Sequence, residues 1–183
     1  GDKLHSARWP ASPALAGKRV AVIGTGSTAV QLVPPIAREA ATLHVFQRTA
    51  NWVLPRFERR YFWFDGLLAR FPPYAKAVRF GWVQFLELTR RGFQDGTLMR
   101  RFMLGLAARH RRSQVPDKDK RAALTPDYPL GCKRIIYAND YYPALSRSNV
   151  EVVTEPVLRI EADGVITADG IKHPADCLIF GTG

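Results

Sequence analysis

Residues 18–31 read Lys18-Arg19-Val20-Ala21-Val22-Ile23-Gly24-Thr25-Gly26-Ser27-Thr28-Ala29-Val30-Gln31. A short β-branched run enters a GxGxxA turn, the spacing that predicts strand, tight turn and helix in a dinucleotide-binding βαβ unit. Gly24 permits the turn, Gly26 removes a side chain that would block a pyrophosphate, and Ala29 is small enough for the helix to pack on the strand. The phosphates would sit at the positive end of that helix, among its unpaired N–H groups. Thr25, Ser27, Thr28 and Gln31 complete the cofactor-binding set expected around the turn.

A helix is expected from Ala29 to Ala40, kinked at Pro34-Pro35, and then a second strand, Leu43-His44-Val45-Phe46. An NAD-specific unit carries an acid for the ribose 2'-hydroxyl about 20 residues past the glycines. This chain instead reads Gln47-Arg48-Thr49. A carboxylate there would repel a 2'-phosphate, whereas a guanidinium grips one through a bidentate, charge-assisted pair and Thr49 adds a hydroxyl donor. The expected cofactor is NADPH rather than NADH.

The chain has 183 residues, 46% of them hydrophobic and 23% charged, enough for a real core and better suited to one domain than two. It starts at Gly1 without a methionine and stops at Gly183 just after an apolar run, which raises the expectation of a fragment. A net charge of +11 would permit nucleic-acid or anionic-membrane contact. The cations are scattered through pairs such as Arg59-Arg60, Arg90-Arg91, Arg100-Arg101 and Arg111-Arg112, without a recognition-module motif, so a solvated surface and no nucleic-acid partner are expected. Cys132 and Cys177 form neither a CxxC pair nor a metal-ligand cluster. They fit a reduced, cytoplasmic setting with both thiols buried. No stretch reaches the ~18 apolar residues of a transmembrane segment, and no signal-peptide core is present. The aromatic run Tyr61 to Trp82 could touch a bilayer surface or line an apolar cavity, with core packing the default expectation.

Residues 1–17 look like a linker, broken by Pro10, Pro13 and Gly17. From Pro55 to about Leu124, apolar residues recur at helical spacing, as in Leu98-Phe102-Leu106, with Gly92, Gly96 and Pro116 dividing the segment into three or four helices. After Pro126 short strands are expected over Lys133–Tyr137, Val150–Val153, Val157–Ile160, Gly164–Thr167 and Cys177–Phe180, with hairpin turns at Asp163-Gly164 and Asp169-Gly170. The fold class expected is α/β: a Rossmann-like dinucleotide-binding domain with a helical insertion and a small β-rich segment.

Three further stretches resemble one family. Gly1-Asp2-Lys3-Leu4-His5-Ser6-Ala7-Arg8-Trp9-Pro10 resembles the later part of the FxGxxxHxxxWP fingerprint of Baeyer-Villiger monooxygenases, with Gly1, His5, Trp9 and Pro10 in register. Val45 to Pro55 is similar to that family's sequence after the second strand of its NADPH domain, and Gly181-Thr182-Gly183 resembles its ATG motif with glycine in place of alanine. The resemblance implies an interdomain linker with fingerprint over 1–17, the first part of an NADPH-binding domain over 18–54, a helical insertion over 55–125, and over 126–183 the returning domain with the start of a linker to an FAD domain. It also implies Thr182 as a cofactor contact and an FAD domain of the same polypeptide outside this chain.

Lys133-Arg134, ahead of Asn139-Asp140-Tyr141-Tyr142, resembles the Lys-Arg pair that the family places between nicotinamide and flavin. There the chemistry passes through anions, with a C4a-peroxyflavin attacking a ketone, and an arginine offers a fixed positive charge. The resemblance therefore makes Arg134 and Lys133 the catalytic residues, with Lys133 also holding the NADP phosphate or ribose. Cofactors NADPH and FAD, a ketone or other small organic substrate and O2 follow from the same resemblance. Oxygenation of nitrogen or sulfur, and a non-catalytic NADP-binding module, stay open beside ketone oxidation. His5 is read as coupling cofactor binding to domain rotation. His44, His110 and His173 lack carboxylate or thiol partners at triad or metal spacing and are read as structural or solvated. Asp117, Asp119 and Asp127 are expected as cap or loop residues.

Overall fold

The computed structural model describes residues 1–9, 14–58 and 62–181. Ten strands are β1 (Asp2–His5), β2 (Arg19–Ile23), β3 (Thr42–Phe46), β4 (Val53–Leu54), β5 (Ile136–Tyr137), β6 (Val150–Val153), β7 (Val157–Glu161), β8 (Gly164–Thr167), β9 (Lys172–Pro174) and β10 (Cys177–Phe180) among the described residues. The helices are α1 (Ser27–Glu39), α2 (Trp63–Ala69), α3 (Pro72–Arg90), α4 (Leu98–Gln114), α5 (Lys118–Ala123) and α6 (Tyr141–Leu145). A five-stranded parallel sheet runs in the order β1-β10-β2-β3-β6, and β7-β8-β9 form a separate antiparallel sheet. The fold is Rossmann-like α/β, as the glycine turn predicts.

Strand alternation sorts the side chains into two cores. Val20, Val22, Leu43, Val45 and Ile179 join Val30, Val33, Ile36 and Ala37 of α1 and Leu145 of α6 in one apolar cluster. Ala21, Phe46, Val153 and Leu178 lie in the other, with Val165 of β8 and Ala175. The parallel sheet thus carries helices on one face and the small antiparallel sheet on the other. Each fully buried Val or Ile of α1 contributes on the order of 1.5–3 kcal/mol. That apolar face continues on both sides of Pro34-Pro35, and α1 runs through them as one helix. Burial here outweighs the backbone hydrogen bonds that the two prolines remove.

Several expectations are corrected. Residues 2–5 are not linker but an edge strand, pairing with β10 from Asp2↔Cys177 to His5↔Phe180. Its largely exposed Asp-Lys-Leu-His sequence carries the charge that protects sheet edges, so it lacks an apolar period. Only Ile136–Tyr137 of the 133–137 stretch pairs, against β4. In the first hairpin Glu161 pairs with Gly164, which moves the turn to Ala162-Asp163, while Gly170 holds the second turn at φ +83°. Cys177 is buried but Cys132 is exposed.

The helical segment departs furthest from its expected packing. Pro72 and Pro73 start α3, where their missing N–H groups cost nothing, but α3 buries no residue. Phe62, Trp63, Phe64, Phe71, Phe80 and Trp82 are all exposed, Trp63 at 87%. Some of these rings meet one another: Phe62 stacks on Phe64 with centroids 5.3 Å apart, and Trp82 meets Phe85 edge-on at 5.8 Å. By contrast α4, capped by Thr97 on the Arg100 N–H, buries Met103 and Ala107 with Leu54 and Leu130. Asp117 caps α5 through the Lys120 N–H at 2.9 Å.

Candidate dinucleotide site

Gly24 sits at φ +106°, a conformation that a side chain would strain, and its N–H donates to the Phe46 carbonyl at 3.2 Å. Gly26 caps α1 without a side-chain bond, at ordinary φ −64°. A Cβ built on Gly26 meets nothing within 4 Å. Protein packing therefore does not require glycine there; the space above it is open for a ligand. The first intrahelical bond runs from the Val30 N–H to the Gly26 carbonyl at 3.0 Å, leaving the Ser27, Thr28 and Ala29 amides ahead of the ladder. Those amides and the helix dipole form an anion-binding end.

Ala29 is fully buried, and its close neighbour is Gly181: a Cβ on Gly181 would come within 3.0 Å of the Ala29 Cβ. The Gly181 N–H donates to the Ile23 carbonyl at 2.9 Å. Two small residues thus bring the end of β10 against the first turn of α1. Ser27 and Gln31 are exposed and Thr28 half-buried on that helix, while Thr25 is buried, its hydroxyl donating to the Thr49 carbonyl at 3.3 Å.

Past β3 the chain alternates. Gln47 turns inward and donates to the Ala123 carbonyl at 2.9 Å; Arg48 turns outward and is exposed. Among the described residues none bonds or ion-pairs with the Arg48 guanidinium. Asn51 then reaches back, its side-chain amide donating to the Thr25 carbonyl and, at 3.2 Å, to the Thr25 hydroxyl. The Tyr128 hydroxyl donates to the Asn51 side-chain oxygen at 3.4 Å, and the Trp52 indole N–H donates to the Tyr128 carbonyl at 3.0 Å. Partial burial raises the Tyr128 phenol above its ordinary range. Lys133 Nζ lies 4.5 Å from the centre of the Tyr128 ring, a cation–π distance.

A family profile described as flavin-binding monooxygenase-like matches residues 1–79. The chain is 40% identical over 190 residues to a Baeyer-Villiger monooxygenase of Pseudomonas aeruginosa, covering all of this chain and 35% of that protein. Identity to a Baeyer-Villiger monooxygenase of Streptomyces coelicolor is also 40%, again over the whole chain and 36% of the relative. Over its whole length this chain is similar to Baeyer-Villiger monooxygenases. Among solved structures, an oxidized steroid monooxygenase bound to NADP superposes on all of the chain with a TM-score of 0.85 at 28% identity, over 42% of its own length. Cyclohexanone monooxygenase in a closed crystal structure gives 0.79 at 26% identity, over 41% of its length. The chain spans little more than a third of the curated relatives it matches.

The network Thr25, Asn51, Tyr128, Lys133 joins the glycine turn to the segment that carries the Lys-Arg pair. Lys133 and Arg134 are both exposed in irregular backbone ahead of β5, and no described residue bonds to the Arg134 guanidinium. Thr182 and Pro10 lie outside the described residues. His5 caps the short 3-10 turn Ser6–Arg8, its Nδ1 accepting from the Ala7 N–H at 3.1 Å. The buried His110 pairs through Nε2 with the Ala138 carbonyl at 2.9 Å, a structural role. Asn51 is a site residue that sequence reasoning passed over, because a polar residue just after a strand carries no periodic signal.

For two histidines the sequence expectation is corrected. His44 Nδ1 lies 2.9 Å from Glu151 Oε2, and His173 Nδ1 lies 3.8 Å from the same oxygen. Burial pulls the His44 imidazole below its usual range, and the Glu151 hydrogen bond offsets only part of that. The three side chains come from β3, β6 and β9, so linear spacing could not reveal the carboxylate partner.

Proposed function

We propose that this chain is the NADPH-binding portion of a flavin-dependent monooxygenase that converts a ketone, O2, NADPH and a proton into an ester or lactone, water and NADP+. The observation that carries the proposal is the open glycine turn at the start of α1 with Arg48, just past the end of β3 and unpaired among the described residues. This donor set fits NADPH. The amides of Ser27, Thr28 and Ala29 would hold the pyrophosphate, and Gly26 leaves the room it needs. Arg48 would pair with the 2'-phosphate, helped by Thr49.

When bound, NADPH supplies a hydride to a flavin held by protein outside this chain. Lys133, steered by the Tyr128 ring, would hold the NADP ribose or phosphate. Arg134 would present a charge that no proton loss can remove to the anion developing in the oxygen-transfer step. One such electrostatic donor in a dry site contributes roughly 2.7–4 kcal/mol. Likeness to relatives named Baeyer-Villiger monooxygenases supports the reaction class.

The match to a flavin-binding monooxygenase-like profile over residues 1–79 also fits oxygenation of soft nitrogen or sulfur. Assaying the full-length protein with NADPH against a cyclic ketone and a sulfide separates the two. Ketone-dependent NADPH oxidation with lactone formation is expected; inertness toward ketones with turnover of the sulfide would overturn the ketone assignment.

A further inference from the structure

The face of the parallel sheet opposite α1 carries a second cluster, unrelated to the glycine turn. Period-two alternation on β3 sends Leu43 and Val45 into the helix-side core and leaves His44 beside Phe46 under the small antiparallel sheet. Glu151 is the register partner of His44 on β6. His173 descends from β9, its ring edge-on to both His44 and Phe46 with centroids 5.3 and 5.4 Å away. One donor atom from each of His44, Glu151 and His173 lies within 4.8 Å of the others.

Counting hydrogens fixes the His173 ring. The Thr167 hydroxyl stands 2.6 Å from Asp169 Oδ1 and 3.0 Å from the Ile171 carbonyl, so its only hydrogen goes to one of these two acceptors. At 3.3 Å from His173 Nε2 the hydroxyl oxygen therefore accepts, and Nε2 carries the hydrogen. In the neutral ring, Nδ1 then presents a lone pair to Glu151 Oε2 across 3.8 Å, two acceptors facing each other. A cation between them resolves the clash. Ligands bound at about 2.0–2.1 Å on a tetrahedral ion sit roughly 3.3 Å apart, between the 2.9 and 3.8 Å that separate Glu151 Oε2 from the two imidazoles.

We propose that His44, Glu151 and His173 form a binding site for a zinc-type divalent cation that clamps the antiparallel sheet to the parallel sheet. Both imidazoles ligate through Nδ1, His44 shifting its hydrogen to Nε2, and Glu151 supplies Oε2. The exposed side of Glu151 admits the ion and leaves water as the fourth ligand. Two imidazoles favour zinc, cobalt or nickel over magnesium or calcium, which require an oxygen-rich shell. Thr167 is the positioning residue, since its hydroxyl fixes the His173 tautomer.

The test is titration of the full chain with Co2+ and with Zn2+ in a Cys132→Ser background, which removes the exposed thiol as a competing ligand. The expected result is one equivalent bound, with the visible absorption of four-coordinate Co2+ and its displacement by Zn2+ but not by Mg2+. Glu151→Gln, at an exposed position that keeps the side-chain shape, abolishes the Co2+ band while circular dichroism stays native. Thr167→Val weakens binding by ~10–100-fold. Absence of binding by the folded chain, equal displacement by Mg2+, or Glu151→Gln binding as tightly as the parent would each overturn the proposal.

Discussion

The side-chain amide of Asn51 ties down the glycine turn by donating to both the carbonyl and the hydroxyl of Thr25, 26 residues away. The turn is thus held from outside the βαβ unit and not by its own backbone alone. Removing Asn51 frees the Thr25 carbonyl and uncouples Tyr128. Each such bond contributes about 0.5–1.5 kcal/mol net. Asn51→Ala is expected to weaken NADPH binding by roughly 3–30-fold without altering the NADPH-to-NADH ratio. Fluorescence titration with both cofactors checks this.

Gly26 and Gly24 separate stability from binding. The Gly26 Cβ position is empty and its φ ordinary, so Gly26→Ala keeps the fold. A gain of about 0.4–1 kcal/mol from a stiffer unfolded chain offsets the weaker N-cap, which is of order 1 kcal/mol. Thermal melting is expected near that of the parent, with NADPH binding lost because the methyl group occupies the pyrophosphate space. Gly24→Ala, at φ +106°, lowers the melting temperature itself.

Arg19 grips Asp176 with Nη2 at 2.6 Å and Nε at 3.1 Å, and its backbone N–H adds a third bond at 2.9 Å. These bonds hold the Asp176 carboxyl well below the usual carboxylate range, the Arg19 side chain being the main cause. A depressed carboxylate stabilises the fold fully above its unfolded pKa of about 3.9, and the effect fades as pH falls through the lower folded value. Asp176→Asn should therefore melt below the parent at neutral pH, and the gap should close under acidic conditions beneath pH ~4. A constant gap across that range would contradict this linkage.

The sequence shows clearly what depends on local geometry. Gly24, Gly26 and Ala29, with the β-branched run before them and the strand after, stand at spacings that suit a strand-turn-helix, and β2, α1 and β3 follow within a residue or two. Elements that depend on distant partners were hidden. Asp2–His5 forms a strand because β10 offers it an edge, although its own residues are polar. Lys133–Arg134 looked like strand, yet pairing begins only at Ile136, where β4 supplies two residues of edge. Phe62 to Trp82 read as core from composition, but a helix face is buried only where something covers it. The His44–Glu151–His173 group crosses three strands and two sheets. One local signal was available: His44 is the polar residue in the strand centre Leu43-His44-Val45, where a buried face would otherwise be apolar.

The proposed NADPH site, with Gly26 at the pyrophosphate and Arg48 at the 2'-phosphate, requires that the chain distinguish cofactors by the 2'-phosphate. Equilibrium titration of the purified chain with NADPH and with NADH, repeated for Arg48→Ala, measures that directly. Charge-assisted hydrogen bonds of about 1.5–3 kcal/mol predict ~10–100-fold tighter binding of NADPH, with Arg48→Ala lowering NADPH affinity to that of NADH. Equal affinities for the two cofactors, or a preference that survives Arg48→Ala, would contradict the account.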